Sequence, residues 1–517
     1  MTGVLTGFVT ELTTGLPTGL PTGPGGAVAP LLLHWEVVAI MAPLLGALAG
    51  LMLPRLAAGL GMVAVAVTTL AVAALAWAVM AHGARMVPLG GWGAPLGIDL
   101  HTDGLAVAML AMTAGVGLCI SLSALAGGAG ELGRARSFWP LWCLLLAGLN
   151  GAYLSTDLFN LYVMLEVISL AAVGLTVLGG GVKAMRAGFE YLMASMLGAL
   201  VFLMAVGFVY LRFGRLDLPG LAEQVSPSDP AMAAVLALML VGLALKTALF
   251  PLHWWLPAAH ANATAPASAL LSALVIKVSL YIVLRLSQYL VPPTEGLVLL
   301  VGLAGGAAMI WGGIQALRAE RLKLLVAWST VAQIGLIFVA FARSGAAGTA
   351  ESWKAAAVLM LAHAVAKAAM FLAAGRIKAE VGHDEIARLD RSPVRPTLAQ
   401  FTFALAAISL IGLPPSIGFA GKWLLMEGAL AAGYWHWVAL TFLGTLISVA
   451  VFSRVMVPFL RFDRQTAPVG EHQGWALADA PPLALALVSF GLGLAGAQIL
   501  AVIEIGQPFA RAGGMAP

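Results

Sequence analysis

Residues 243–286 read LALKTALFPLHWWLPAAHANATAPASALLSALVIKVSLYIVLRL, and this stretch decides the fold. An apolar run ends near Lys246, a segment rich in Pro, His and Trp follows over 249–265, and a second apolar run then begins. A membrane-spanning helix needs about 20 apolar residues, which the second run supplies. The middle segment is too polar and too rich in proline to be a straight helix. We therefore expect a broken membrane helix followed by an intact one.

The composition of the chain is that of a protein embedded in a membrane. Of its 517 residues, 61% are hydrophobic and 10% are charged, and the mean hydropathy is +0.98. Soluble domains carry about 25% charged residues, so a soluble globular protein and a disordered chain are both excluded. The apolar runs are long and unbroken, which predicts helices rather than a β-barrel, and we expect no strands.

Charge and cysteine content exclude further classes. The net charge of +4 fits the basic cytoplasmic loops of a membrane protein, so no nucleic-acid partner is expected. Cys119 and Cys143, the two cysteines, lie in apolar runs, and the sequence has no C-x-x-C pair. Iron–sulfur and zinc sites built on cysteines are therefore excluded. We expect an all-α polytopic membrane protein that holds no metal and no cofactor.

Apolar segments predict fourteen transmembrane helices, of which the seventh and the twelfth are broken. The seventh is followed by the polar segment described above, and the twelfth is interrupted by GLPP at 412–415. The predicted spans lie near 31–53, 57–80, 103–125, 137–155, 157–178, 188–212, 231–248, 266–289, 295–317, 324–343, 354–377, 398–429, 434–458 and 480–504.

Two broken helices in corresponding positions are typical of transporters built from inverted repeats. The breaks lie five spans apart, and five is odd, so two five-helix units would be inverted relative to each other. The chain is then divided into a flexible N-terminal tail at 1–30, helices 1–3 at 31–125, a first repeat at 137–289, a second repeat at 295–458 and helix 14 at 480–504.

Lysine and arginine are concentrated in the loops that follow odd-numbered spans. The positive-inside rule places those loops in the cytoplasm. Both termini are then predicted on the periplasmic side of a bacterial inner membrane.

Four of the eight lysines lie inside apolar spans, and one glutamate lies in the middle of the fifth span. A central lysine costs at least ~2.5–3.5 kcal/mol on insertion scales, so four are hard to explain without a function. We expect Glu166 to pair with Lys246. The alternatives are a neutral glutamate bonded to a backbone carbonyl and a lysine that snorkels to the interface. Lys277 lies well inside its span, where snorkelling fits poorly.

His363 and Lys367 are four residues apart, which places both on one face of a helix. Two adjacent cationic groups suit a proton relay, although a lone buried histidine is the alternative for His363. No carboxylate or cysteine is near enough in sequence to suggest a metal site.

Lys422 follows the second break, where backbone groups are freed and must be buried in protein or hydrated. We interpret it as an exit toward water, with a structural ion pair to Glu427 as the alternative. His253 and His260 flank the first break as accessory groups or as interfacial residues. Together these residues form a series of titratable groups at membrane depth, which favours proton translocation over a small-molecule site.

Four stretches resemble motifs of one family. They are the quoted 243–286, RLKLLVAWSTVAQIGLIFVA at 321–340, AHAVAKAAMFLAAGRI at 362–377 and LIGLPPSIGFAGKWLL at 410–425. The chain is similar over about 100–460 to the antiporter-like family of Mrp-type cation/proton antiporters and respiratory complex I. Its length and its sequence at 265–281 are most similar to the branch formed by the D subunits of Mrp-type antiporters.

The resemblance implies fourteen helices with two inverted five-helix repeats and broken seventh and twelfth helices. It implies that protons pass a glutamate on helix 5, lysines on helices 7 and 8, a His-x-x-x-Lys pair on helix 11 and a lysine on helix 12. In this sequence these residues are Glu166, Lys246, Lys277, His363, Lys367 and Lys422. The sequence departs from many relatives at Ala258, where they carry an acidic residue, and in a longer stretch from His260 to Pro266.

The resemblance therefore predicts a proton-translocating subunit of a multisubunit Na⁺/H⁺ antiporter, an ion transporter rather than an enzyme. Other membrane subunits, protons, Na⁺ and the lipid bilayer would be its partners. Three alternatives remain open at this point. They are a proton-pumping subunit of complex I or of a membrane-bound hydrogenase, a membrane subunit of an inorganic-carbon uptake complex, and a scaffold that has lost transport.

Overall fold

The computed structural model describes residues 34–126, 135–226, 229–290, 295–342, 346–391, 397–460 and 477–507. The tail predicted at 1–30 lies outside the described residues. The described chain is a bundle of helices with one small hairpin. The helices are α1 (Trp35–Met52), α2 (Ala57–His82), α3 (Gly104–Ala126), α4 (Ala135–Leu154), α5 (Leu158–Val177), α6 (Gly181–Phe213), α7 (Leu218–Gln224), α8 (Pro230–Thr247), α9 (Leu256–Asn262), α10 (Ala265–Leu270), α11 (Ile276–Tyr289), α12 (Glu295–Arg318), α13 (Leu322–Phe341), α14 (Ala346–Val381), α15 (Leu398–Ile411), α16 (Ile417–Ala431), α17 (Trp435–Leu460), α18 (Ala480–Gly491) and α19 (Gly496–Ile503).

Within the described residues, 13 helical segments are long and apolar enough to cross a membrane. The predicted twelfth span consists of two shorter helices, α15 and α16. Each of the fourteen predicted spans therefore has a counterpart, and the prediction of an all-α polytopic membrane protein is confirmed. The main differences in length are at α6 and α14, which extend by several residues beyond the predicted bounds.

The expectation of no strands is wrong. Strands β1 (Arg85–Pro88) and β2 (Asp99–Thr102) form an antiparallel hairpin between α2 and α3. They lie outside the apolar spans, where a loop that folds back on itself satisfies its backbone groups by pairing with itself. Hydropathy does not indicate this hairpin, because its strands are only four residues long and lie outside the apolar spans.

The loops alternate between two ends of the bundle. We name the end that carries β1 and β2 the hairpin end and the opposite one the basic end. Loop contacts at the hairpin end are Leu100–Ser155, Asp157–Asp217 and Lys354–Glu504, and those at the basic end are Arg321–Asp384, Arg321–Glu385 and Arg376–Asp479. This alternation matches the predicted order of loops, whereas the side of the membrane that each end faces stays a prediction.

Residues 102–104, named here the clasp, hold both ends of the described chain. The Thr102 hydroxyl donates to Glu36 near the start of α1 at 3.2 Å. The Gly104 amide donates to the Ile505 carbonyl at 2.9 Å, and the Gln507 amide donates to Asp103 at 3.2 Å. The clasp therefore connects the start of the first described helix with the residues that follow the last one.

The centre of the bundle consists of the segments Ala265–Tyr289 and Ala350–Val381, which are buried throughout their apolar stretches. The first segment is α10 and α11 joined by a π-helical turn at Leu271–Val275. A π-turn leaves backbone carbonyls without their usual partner, and the Ser272 carbonyl accepts a hydrogen bond from Lys277 at 3.1 Å. The sequence pattern did not indicate this turn.

Both broken spans end their first half in the same way. Helix α8 is followed by the C-cap residue Ala248, which is left-handed at φ 58°, and α15 is followed by the C-cap residue Gly412, at φ 83°. A left-handed residue lets the following amides bond back to the last carbonyls of the helix, as Leu249 does to Ala244 and Leu413 does to Ile408. The inverted relation of the two repeats stays a prediction.

Candidate functional site

Lys246, at the end of α8, is buried and held by three side chains. Its ammonium donates to the Ser169 hydroxyl of α5 at 2.8 Å and to the Ser195 hydroxyl of α6 at 2.9 Å. Its third partner is the Glu166 carboxylate of α5 at 3.4 Å. The ammonium therefore points into the protein and does not snorkel.

Glu166 lies at the edge of this group. Its side chain is 27% exposed, whereas that of Lys246 is 5% exposed. At 3.4 Å the ion pair is longer than a tight charge-assisted hydrogen bond of about 2.7–2.9 Å. Because two hydroxyls already anchor the lysine, the carboxylate can move away without leaving the ammonium unsolvated.

Lys277 and His363 are in direct contact at the centre of the bundle. Lys277, on α11, has its ammonium nitrogen 2.6 Å from Nδ1 of His363 on α14. Both side chains are buried. An ammonium has only donors, so the ring nitrogen accepts when the lysine is charged and the imidazole is then neutral. A proton at this contact can therefore reside on either the lysine or the imidazole.

Lys367 lies one helical turn from His363 on α14 and is fully buried. It donates to the Ser329 hydroxyl at 2.5 Å and to the Val326 carbonyl at 3.0 Å, both on α13. No carboxylate contacts it among the described side chains. A charge at this position is therefore stabilised only by neutral oxygens.

Lys422, on α16, reaches back to the break. It donates to the Ile411 carbonyl at 2.8 Å and to the Thr445 hydroxyl of α17 at 3.1 Å. Ile411 is the last residue of α15, so its carbonyl is free for a side chain. The alternative of an ion pair with Glu427 is wrong, because Glu427 is exposed and forms no salt bridge within the described part of the chain.

The two accessory histidines lie in different surroundings. His253 stacks on the ring of Phe250 and contacts the ring of Trp328 edge-on. His260, on α9, is 1% exposed and stacks on Phe371 of α14. Within the described atoms, Nδ1 of each ring has no hydrogen-bond partner. His260 is therefore inside the bundle rather than interfacial.

The structure joins some of the predicted groups and leaves others apart. Direct contacts connect Glu166 to Lys246 and Lys277 to His363. Among the described hydrogen bonds, none connects these two pairs to each other or Lys367 to Lys422. Bound water would have to bridge those gaps.

Sequence reasoning missed Gln333, which lies between the last two lysines. It is one turn along α13 from Ser329, the partner of Lys367. Its amide donates to the Leu410 carbonyl at 3.3 Å, next to the carbonyl that holds Lys422. A glutamine four residues after a serine is a weak sequence signal, because only the fold shows what the two residues face.

Two further charged groups were also missed. Lys323, at the start of α13, is buried and donates to the Ala263 carbonyl that follows α9. In the sequence it looks like one more basic loop residue. Arg285 and Asp103 form a buried pair with two hydrogen bonds of 2.6 Å. They lie far apart in the sequence, so no local pattern could join them.

A bundle of membrane spans with broken helices and buried lysines at its centre defines a polytopic membrane protein of the ion-transporting class. The chain belongs to the family described as NADH:quinone oxidoreductase/Mrp antiporter, transmembrane, whose profile matches residues 155–448.

Curated relatives come from both branches of this family. The chain is 32% identical to the N subunit of NADH-quinone oxidoreductase from Desulforudis audaxviator, over 92% of this chain and 99% of that protein. It is 30% identical to the D subunit of the Na⁺/H⁺ antiporter from Bacillus subtilis, over 80% of this chain and 84% of that protein.

Solved structures resemble the fold over nearly its full length. A chain of the membrane-bound sulfane sulfur reductase, an archaeal respiratory membrane complex, superposes with a TM-score of 0.82 at 25% identity, covering 90% of this chain and 96% of that one. A chain of the Mrp complex from Dietzia sp. DQ12-45-1b superposes with a TM-score of 0.78 at 25% identity, covering 91% and 96%.

Proposed function

We propose that this protein is the proton-translocating subunit of a multisubunit Na⁺/H⁺ antiporter in the bacterial plasma membrane. The observation that carries the proposal is the Lys277–His363 contact of 2.6 Å at the buried centre of the bundle. A proton there can reside on either partner, and bound water can pass it on. Similarity to the D subunit of the Bacillus subtilis antiporter supports the choice of an antiporter.

In the proposed relay, protons pass among Lys277, His363, Lys367 and Lys422 through bound water. The Glu166–Lys246 pair gates the relay, because the field that Lys246 exerts on its neighbours depends on how closely the carboxylate compensates it. Since the ammonium is anchored on Ser169 and Ser195, the gate opens by movement of the carboxylate rather than of the lysine.

The proposed assembly has other membrane subunits as partners, and the protein itself transports ions rather than catalysing a reaction. With the basic end in the cytoplasm, both described ends of the chain face the periplasm. Relatives and structural neighbours named as parts of multisubunit complexes support the assembly with other membrane subunits.

The experiment that tests the relay is Lys277→Ala in the assembled complex. We expect proton-linked Na⁺ transport in vesicles to be abolished while the complex still purifies intact, since a neutral methyl group cannot carry a proton. Lys183→Ala is the matched control, because Lys183 is exposed at the start of α6, and it should leave transport unchanged. Full transport by Lys277→Ala would refute the relay.

A second candidate is a proton-pumping subunit of a redox-driven complex. Similarity to the N subunit of NADH-quinone oxidoreductase and to the archaeal respiratory complex favours it. Gentle purification of the tagged protein, followed by mass spectrometry, separates the two proposals. Small hydrophobic partners alone support the antiporter, whereas copurifying flavin or iron–sulfur proteins would support the redox-driven pump and leave the relay in place.

A further inference from the structure

A column of polar groups outside the proposed relay leads from Lys277 to the hairpin end. On α11, Lys277, Tyr281 and Arg285 are spaced by four residues, so they lie along one face. The Arg285 Nε donates to the Tyr281 hydroxyl at 2.8 Å, and the Tyr281 ring lies 4.9 Å from the guanidinium. Arg285 is thus about 12 Å along the helix axis from the central lysine.

The outer end of this column is closed by the clasp. Both terminal nitrogens of Arg285 donate to Asp103 at 2.6 Å, and the two side chains are 1% and 0% exposed. Gln288 and Gln507 form hydrogen bonds with this pair. Gln288 accepts from Arg285 at 3.1 Å, and Gln507 donates to Asp103 at 3.2 Å.

A column of polar groups below a proton-carrying lysine is either an outlet or a barrier, and its chemistry decides which. An outlet needs groups that take up and release protons, but arginine stays charged in proteins. The hydroxyl proton of Tyr281 is fixed on the Tyr153 carbonyl at 2.5 Å, and its oxygen accepts from Arg285. No step of a proton chain can pass through this pair of groups.

The guanidinium also lies on the Lys277 side of the ion pair, because its Nε bonds Tyr281 while its terminal nitrogens bond Asp103. The positive end of the pair therefore faces the relay. With an effective dielectric of about 20, a positive charge about 12 Å from Lys277 lowers the proton occupancy of that lysine by at most about tenfold. The negative charge of Asp103 makes the effect smaller. A fixed arginine charge excludes protons from pores in the same way.

We propose that the Arg285–Asp103 pair is an electrostatic plug that prevents proton leakage between Lys277 and the hairpin end. This inference rests on the proposed relay. It explains why a proton that reaches Lys277 has to continue sideways to His363 and α14 instead of leaving directly along α11.

The test is the double variant Asp103→Asn with Arg285→Gln, reconstituted as the whole complex in proteoliposomes. Two neutral amides replace the ion pair, so no unpaired charge remains buried. After an acid jump without a cation gradient, we expect proton leak severalfold above wild type. Adding Lys277→Ala should suppress that leak. A leak equal to wild type, or one that persists without Lys277, would overturn the plug.

The single variant Tyr281→Phe separates a plug from an outlet even if the double variant does not assemble. It keeps the buried ion pair and removes the hydroxyl that links the pair to the Lys277 side, so the plug predicts wild-type leak and wild-type coupled transport. Loss of coupled transport would mean that protons leave through this column, and the plug would be wrong. Failure of the relay itself is distinguishable, because it shows as full coupled transport in Lys277→Ala alone.

Discussion

The lysines of the proposed path differ in how their charge is compensated. Lys246 has a carboxylate within 3.4 Å. Lys277, Lys367 and Lys422 contact only carbonyls, hydroxyls and one imidazole among the described residues. A neutral partner supports the charged and the neutral form of a lysine more evenly than a carboxylate does, which is what a proton carrier needs.

At the residue scale, Gln333→Leu should slow proton-linked transport. The substitution removes the polar group that connects the surroundings of Lys367 to those of Lys422. It also leaves the Leu410 carbonyl without its donor, at a cost of about 1–3 kcal/mol in stability. Transport assays in vesicles and thermal unfolding of the purified complex measure the two effects separately.

Gln333→His is the matched control. An imidazole keeps a donor for the Leu410 carbonyl and can itself pass a proton, so transport should be retained. Equal transport by the leucine and wild-type proteins would show that the link between the last two lysines runs elsewhere.

Burial could be predicted from sequence where the signal is local, whereas the transport roles of these residues stay predictions. A lysine or glutamate inside an apolar run is conspicuous wherever the helix packs, and so the four buried lysines of the apolar spans could be found, whereas Lys323 could not. Asp103 could not be found in this way, because it is an ordinary acidic residue before a span. Its burial depends on Arg285, which arrives from another helix 182 residues later.

At the element scale, the two breaks differ in one informative respect. Each first half ends in a left-handed residue, which is Ala248 in one break and Gly412 in the other. A side chain in this conformation costs roughly 1–2 kcal/mol. A Cβ added to Gly412 would also lie 2.8 Å from Cδ of Lys422. The second break therefore requires glycine, whereas the first tolerates alanine at a cost.

Gly412→Ala should consequently destabilise the protein and displace Lys422. We expect a loss of about 1–2 kcal/mol from backbone strain, visible as a lower unfolding temperature, together with slower transport. The reverse substitution at the first break, Ala248→Gly, relieves the same backbone strain and should leave the unfolding temperature unchanged or raise it. A destabilised Ala248→Gly together with an unaffected Gly412→Ala would contradict this account.

Elements with long-range causes were the ones that sequence reasoning missed. The spans follow from hydropathy, which is a sum over neighbouring residues. The hairpin depends on pairing across a loop, and the π-turn has a carbonyl that accepts from Lys277 on the following helix. Neither element produces a periodic pattern of apolar residues in the sequence.

At the scale of the whole molecule, the alternation of loops allows the orientation to be tested. Leu96, next to β2, is 84% exposed at the hairpin end, and Ala387 is exposed at the basic end. In a variant without Cys119 and Cys143, a cysteine at position 96 should react with a membrane-impermeant thiol reagent from the periplasm. A cysteine at position 387 should react only after the membrane is opened. The reverse pattern would invert the proposed topology.

The clasp has a consequence for the way the protein is made. Residues 102–104 emerge early from the ribosome, yet Gln507, which bonds Asp103, follows 404 residues later. At roughly 5–20 residues per second, that interval is on the order of 20–80 seconds. The hairpin end is therefore the last part of the bundle to close during biosynthesis. A chain that stops short of Gln507 would expose an incomplete clasp, which quality-control proteases could recognise as a mark of unfinished insertion.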